Sequence, residues 1–291
     1  MVRKAVIPAA GFGSRFLPAT KSQPKEMLPV VDKPTIHYVV EEAVASGITD
    51  ILMIIGKGKR SIEEYFDRNF ELEAELEAKH RNELLAEVRK ISSLANIYFV
   101  WQKELKGLGD AVSYARAHVG NEPFALLLGD TILHSDSGRP VTKQLIDVYN
   151  QKNASVVSLE EVPKEKVSRY GVMAGEQEDG RLYRVRDFVE KPEPGTEPSL
   201  LAFAGRYVFT PEIFDYLVET APGKNNEIQL TDAMRKMVKE RPMYGWQIDG
   251  RRYDIGNKLD YIKTNIEFAL KRDDLREKLS EYIKETAKGL K

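Results

Sequence analysis

The chain has no cysteine in its 291 residues. Disulfides, thiolate nucleophiles and cysteine-ligated zinc or iron are therefore excluded, which agrees with a reducing compartment. Long apolar runs are missing too, and none approaches the roughly 20 residues that cross a bilayer. The opening MVRKAVIPAAG reaches a glycine turn too soon for a signal peptide, so a cytoplasmic location without a membrane partner is expected. Neither sign of charge is in excess. Lys and Arg number 44 against 45 Asp and Glu, a net −1, which gives no general pull toward nucleic acid or anionic lipid. Phosphate recognition must come from local placement of cations. Histidine is scarce as well: His37, His80, His118 and His134 show no HxxxH spacing, and no GxSxG elbow is present. Chemistry is left to cations, carboxylates and a metal ion.

What is present is ample apolar material, 42% of residues, arranged in alternating periods. Strand-like runs at 3–8, 50–55, 96–101 and 124–128 are separated by helical patterns near 34–46, 60–93 and 108–118. This alternation predicts an α/β fold whose central sheet is mixed, mostly parallel, and flanked by helices on both faces. Further strands at 154–160, 181–189 and 201–209 are less regularly separated by helices, so the second half is expected to add antiparallel or mixed strands. Phe70–Lys90 has the composition of a solvated amphipathic helix. Asp273–Lys288 looks like another, within a helical segment at about 257–290. No repeat, linker or domain boundary interrupts the chain, and a single domain over 1–291 is expected.

The most informative stretch is AVIPAAGFGSRFLPATKSQPKEMLP, residues 5–29. A short strand hands over to Gly11 and Gly13, where backbone N–H groups can close around an anion or a flat base edge. Arg15 adds a fork of donors suited to phosphate oxygens, and Lys25 a compact charge on a flexible stem. Two other phosphate motifs fail here. A dinucleotide fingerprint needs glycine where Phe16 stands and an acid after the second strand, where Gly56 stands; a Walker loop needs GKS or GKT, which neither this loop nor Gly56–Ser61 supplies.

An acidic half accompanies the basic one. The apolar run PFALLLGD delivers Asp130 at the carboxyl end of a strand, where ligands bind in open α/β sheets. Asp254 follows another short apolar stretch in RRYDIGN. Two hard oxygen ligands beside a polyphosphate suit Mg²⁺. In DFVEKPEPG a strand end runs into a proline turn that can aim Glu190 at sugar hydroxyls and Lys191 at a phosphate. Tyr170 and Gly171 offer a close backbone approach.

Taken in order, AAGFGSRFLPATKSQPKEMLP, QKELKGLGDA (102–111), LLLGD, YG, VEKP and EIQLTDA (227–233) resemble the sugar-1-phosphate nucleotidyltransferases, over nearly the whole chain. Ala10 before Gly11, in place of a double glycine, resembles the uridylyl branch. The resemblance implies a Rossmann-like nucleotidyltransferase fold and the conversion of UTP and glucose 1-phosphate to UDP-glucose and pyrophosphate, with Mg²⁺ as cofactor. It implies that Ala10, Gly11, Gln102 and Gly107 bind uracil, that Arg15 and Lys25 hold the reacting phosphates, and that Asp130 and Asp254 hold the metal. Gly171, Glu190 and Lys191 would take glucose and its phosphate, and a homodimer or homotetramer is implied. Two positions depart from the family pattern: Trp101 and Asp110 stand where arginine and histidine are usual, both in the segment implied to bind the base. A thymidylyltransferase, a nucleotide-sugar glycosyltransferase and a non-catalytic sensor are the alternative readings.

Overall fold

A computed structural model describes residues 1–223 and 226–290. β1 (Lys4–Ala9) leads into a loop of three 3-10 turns, Ser14–Phe16, Ala19–Lys21 and Lys25–Met27. A small ribbon, β2 (Pro29–Val30) and β3 (Lys33–Pro34), then precedes α1 (Thr35–Ala45) and β4 (Asp50–Ile55). Three short helices follow, α2 (Arg60–Phe66), α3 (Phe70–Ala78) and α4 (Asn82–Ser92), then β5 (Asn96–Trp101), α5 (Leu108–Ser113), α6 (Arg116–Val119) and β6 (Phe124–Leu127). The second half runs β7 (Thr131–Ser135), α7 (Val141–Lys152), β8 (Ser155–Glu161), β9 (Gly171–Asp179), β10 (Leu182–Glu190) and β11 (Leu201–Phe209). It closes with α8 (Ile213–Val218), α9 (Leu230–Glu240), β12 (Met243–Gln247), β13 (Gly250–Asp254), α10 (Lys258–Leu270) and α11 (Asp273–Gly289).

Nine strands form one sheet in the order β5-β4-β1-β6-β11-β8-β12-β10-β9. It is parallel from β5 to β6 and again between β8 and β12, and antiparallel elsewhere. The parallel character thus belongs to the first half, and the mixed character to the second, where hairpins replace helical crossovers. Alternation along each strand feeds two cores. Ile7 of β1 and Met53 of β4 face α1, α2 and α7 through Ile36, Ile62 and Leu145. Val6 and Ile54 face the other way, onto α5, α8 and α9 through Val112, Phe214 and Met234. Because the central strands are covered on both faces, their sequences are continuous apolar runs.

The helical pattern expected over 60–93 is broken twice. The Asn69 side chain accepts from the Leu72 amide at 3.0 Å and starts a new helix, and His80, at φ 54°, ends it in the left-handed region. Continuous helix-forming composition hid both breaks. The segment is mostly solvent-facing, as expected, with Leu85 turned inward. At the other end of the chain the expected helical segment is two consecutive helices, α10 and α11. The described residues contain no helix long and apolar enough to cross a membrane.

One side chain ties the antiparallel strand β11 to the turn after β6. Arg206 is fully buried, and its Nε and Nη2 donate to Glu42 Oε2 at 2.9 and 2.7 Å. Nη2 also donates to the Thr131 carbonyl at 2.8 Å, and Nη1 to the carbonyls of Gly205 at 3.1 Å and Leu128 at 3.4 Å. The other oxygen of Glu42 accepts from the Thr142 amide and hydroxyl. The guanidinium therefore fixes both ends of the Leu128–Thr131 turn, which carries Asp130. Replacing Arg206 by Met would strand the Glu42 carboxylate, and a loss of about 3–5 kcal/mol of stability is expected in chemical denaturation. A loss below about 1 kcal/mol would mean the turn does not depend on this pair.

Candidate active site

Neighbours of β1 lie on either side, β4 and β6, both parallel to it, so the crevice beyond the carboxyl ends of these strands is the place where an open α/β sheet binds ligands. The loop after β1 doubles back over that edge. Gly13 takes φ 65°, and a Cβ there would lie 3.1 Å from the Lys25 Cβ. Glycine relieves both the left-handed conformation and the tight approach at this position. The Thr20 hydroxyl donates to the Gly13 carbonyl at 2.8 Å and closes the loop, bringing Lys25 back under it.

Lys25 Nζ meets Asp130 Oδ2 at 2.5 Å. Burial opposes the charge on each, but the partner outweighs it: the Lys25 ammonium is pushed above its ordinary value, chiefly by Asp130, and the Asp130 carboxyl is held below its own, chiefly by Lys25. Asp254 is delivered by a two-stranded ribbon of β7 and β13, in which Asp254 stands opposite Thr131, the residue after Asp130. A Cβ placed on Gly256 would lie 2.7 Å from Asp254 Oδ1, 3.6 Å from Arg15 Nη1 and 3.7 Å from Asp130 Oδ2. The structure thus brings Arg15, Lys25, Asp130 and Asp254 close together at one point. Asp254 Oδ1 also accepts from the Gly256 amide at 2.7 Å. No group of three or more His, Cys, Asp or Glu with metal-holding geometry occurs among the described residues. A metal here would therefore have two carboxylates and would draw further oxygens from ligand and water.

Sequence reasoning missed the next shell of charge. Glu26, 1% exposed, pairs with Lys59, 4% exposed, at 2.8 Å, and lies 4.0 Å from Lys25. Burial pushes its carboxyl up, against the pull of Lys59 and Lys25. Its only signal was an acid beside Lys25 in KEMLP, indistinguishable from a surface pair.

A second cluster gathers Gly171, Glu190 and Lys191. Gly171 pairs with Glu190 across β9 and β10, and a Cβ on Gly171 would come within 2.5 Å of the Phe203 ring and 2.9 Å of Glu190 Oε2. Any side chain there would displace the carboxylate. Thr231, from the EIQLTDA segment, donates to Glu190 Oε2 at 2.7 Å. Lys191, at φ 45°, donates its amide to the Tyr170 carbonyl and lies 3.1 Å from Glu190 through its ammonium. It is paired there rather than with the Lys25 cluster. Arg252 links the two groups: it packs over the Tyr170 ring at 4.2 Å, pairs with Glu160 at 2.8 Å, and precedes Asp254 by two residues. A cavity of about 150 Å³ opens between Tyr170, Arg252 and Asp254.

The third group lies at the ends of β1, β4 and β5. Ala10 packs its carbonyl against Gly56, and Gly11 faces open space. Gln102 anchors its amide on the Ile55 carbonyl at 2.9 Å and is 6% exposed. Its side-chain nitrogen donates to Asp110 Oδ2 at 2.6 Å and to the Gly107 carbonyl at 3.4 Å. Trp101 does not join them. Strand alternation sends it to the face of Ile97 and Phe99, opposite to Gln102, and it is 53% exposed. It neither fills core nor faces the Gln102 side chain.

The nucleotidyl transferase family model matches residues 4–270. A UTP–glucose-1-phosphate uridylyltransferase of Staphylococcus haemolyticus is 53% identical over 284 residues, covering 98% of each chain. The structure of a UDP-glucose pyrophosphorylase complexed with UDP-glucose is similar at TM-score 0.87 and 44% identity, covering 94% of this chain and all of the other. The UTP-bound UGPase of Acinetobacter baumannii is similar at TM-score 0.90 and 40% identity, covering 97% of this chain and 99% of the other.

The depressed Asp130 carboxyl has a consequence for stability. It contributes stabilisation that is present above its ordinary value of 3.8 and is lost as pH falls through the lower folded value. Asp130→Asn should therefore flatten the acid side of the stability–pH curve below about pH 4, read from denaturation midpoints. An acid limb with unchanged slope would show that the pair is not formed in solution.

Proposed function

Because the chain belongs to the nucleotidyl transferase family, we propose that it transfers the uridylyl group of UTP to glucose 1-phosphate, giving UDP-glucose and pyrophosphate. The observation that carries this reading is the convergence of two cations, Lys25 and Arg15, with two carboxylates, Asp130 and Asp254, at the carboxyl end of β1 and β6. A phosphate oxygen of the sugar attacks the α-phosphorus of UTP in line, and the obstacle is repulsion between two anions. The nucleophile is already ionised, so no general base is needed. Lys25, on a flexible stem, exchanges Asp130 for the reacting phosphates, and Arg15 holds the leaving pyrophosphate. Glu190 accepts from glucose hydroxyls, with Gly171 leaving room for the ring, and Lys191 meets the sugar phosphate. Ala10, Gly11, Gly13, Gln102 and Gly107 form the nucleotide side of the crevice.

The donor set of two carboxylates fits Mg²⁺, which takes few protein ligands and shares the oxygens of substrate phosphates. Asp130, released from Lys25, and Asp254 would hold it. Bound there, the ion supplies charge neutralisation at the phosphates and alignment of the two reactants. We place the reaction in the cytoplasm, with no membrane or nucleic-acid partner, and expect one catalytic unit per chain within a homodimer or homotetramer.

Pyrophosphate release tests this reading, with Mg²⁺, glucose or galactose 1-phosphate, and UTP, dTTP, ATP, GTP or CTP in turn. UTP with glucose 1-phosphate should be the best pair. Lys25→Ala and Asp130→Asn, each folded, should lose on the order of 10²–10³ in turnover, about 2.7–4 kcal/mol. Comparable dTTP turnover would move the reading to a thymidylyltransferase, and no pyrophosphate with any pair would contradict it.

A further inference from the structure

Gln102 carries an amide, and an amide is two-faced: its oxygen accepts and its nitrogen donates, and the two ends have nearly the same shape. A free glutamine can rotate to suit a base that presents either a donor or an acceptor. Here it is not free. Its nitrogen faces two acceptors at once, the Asp110 carboxylate at 2.6 Å and the Gly107 carbonyl at 3.4 Å. Rotation would set the amide oxygen against both acceptors, on a side chain that is only 6% exposed. The carboxylate is itself well placed. Asp110 lies in the first turn of α5, whose Gly109 amide is anchored on the Ile228 carbonyl at 2.8 Å. The Gln102 backbone is anchored on Ile55. The amide oxygen is left as the end that can accept: among the described residues it takes part in no hydrogen bond, and it is not among the buried polar atoms without a partner.

We infer that Asp110 is the positioning residue for base selection, locking the Gln102 amide so that its oxygen reads an N3–H donor. Uracil and thymine present that donor, whereas cytosine presents a bare N3 acceptor and would meet the amide oxygen head on. The inference rests on the uridylyl reading above and deepens it. It also gives a role to a residue that departs from the family pattern. A histidine in its place could be a donor or an acceptor according to tautomer, whereas an ionised aspartate can only accept. The lock discriminates uracil from cytosine and is blind to the methyl group that separates uracil from thymine.

An acid in the first turn of α5 also favours the helix dipole, so the test needs a readout that helix stabilisation does not move. The kcat/KM values for UTP, dTTP and CTP with glucose 1-phosphate are measured in the wild-type chain, in Asp110→Asn and in Asp110→Ala. Asparagine keeps the shape but can accept or donate, so it permits both orientations of Gln102. The UTP-to-CTP ratio should fall by at least about tenfold in both variants, while the UTP-to-dTTP ratio stays within about twofold of wild type. Uniform losses that leave the UTP-to-CTP ratio unchanged would overturn the inference and reduce Asp110 to a helix residue. The wild-type chain judges the premise separately: uridylyl transfer there, with an unchanged ratio in the variants, sinks the positioning role alone, whereas no transfer from UTP sinks the uridylyl reading and the inference with it.

Discussion

A partly buried ammonium and a partly buried carboxylate, Lys25 and Asp130 at 2.5 Å, set the terms for the rest of the structure. Each charge would be costly in the interior without its partner. The cost does not stop at the pair, because the charged groups behind it, Glu26, Lys59 and Arg206, are more deeply buried still. Asp130, Lys25, Glu26 and Lys59 alternate in sign, and the last two are nearly inaccessible. On the other side, Arg206 and Glu42 pin the turn from which Asp130 projects. A purely apolar arrangement of these positions could be as stable or more so. What it would lack is charge ready to be exchanged for a ligand's charge at a fixed point.

The mixed sheet makes this arrangement reachable. Its parallel portion, β5 to β6, brings several carboxyl ends to one edge and supplies Ala10, Gln102 and the Asp130 turn. The antiparallel portion contributes from the other direction. β11 runs against β6 and sends Arg206 beneath the Asp130 turn, while β9 and β10 place Gly171 opposite Glu190. The small β7–β13 ribbon then swings Asp254 alongside. In the proposed reaction the parallel half serves the nucleotide and the antiparallel half the sugar phosphate, with Lys25 and the two aspartates at the boundary. Such preorganisation lowers the reorganisation needed when two anions are forced together.

Much of this was legible in the residues. Strands with continuous apolar character announced themselves to within about a residue, as at Asp50–Ile55 and Leu201–Phe209, because burial on both faces leaves little room for polar side chains. The loop cations and Asp130 were legible because glycines and a strand end mark where a backbone can approach a ligand. The β7–β13 ribbon was not, since five residues with one buried face carry too short a period, and the nearness of Asp254 to Asp130 depends on it. The breaks at Asn69 and His80 vanished into uniform helix-forming composition. Arg206, Glu26 and Lys59 were invisible for another reason: a charged residue in a sequence reads as surface, and only three-dimensional pairing shows it to be interior. Asp110 was legible as a departure from a family pattern, but its meaning came from the 2.6 Å contact with Gln102.

The central claim is that Lys25 and Asp130, paired at 2.5 Å, part when substrate arrives. A crystal structure of the chain with UTP and Mg²⁺ tests it most directly. The account predicts Lys25 Nζ within hydrogen-bond distance of a phosphate oxygen, and Asp130 and Asp254 on the metal. Triphosphate bound with the Lys25–Asp130 pair still closed, and the metal held elsewhere, would contradict it.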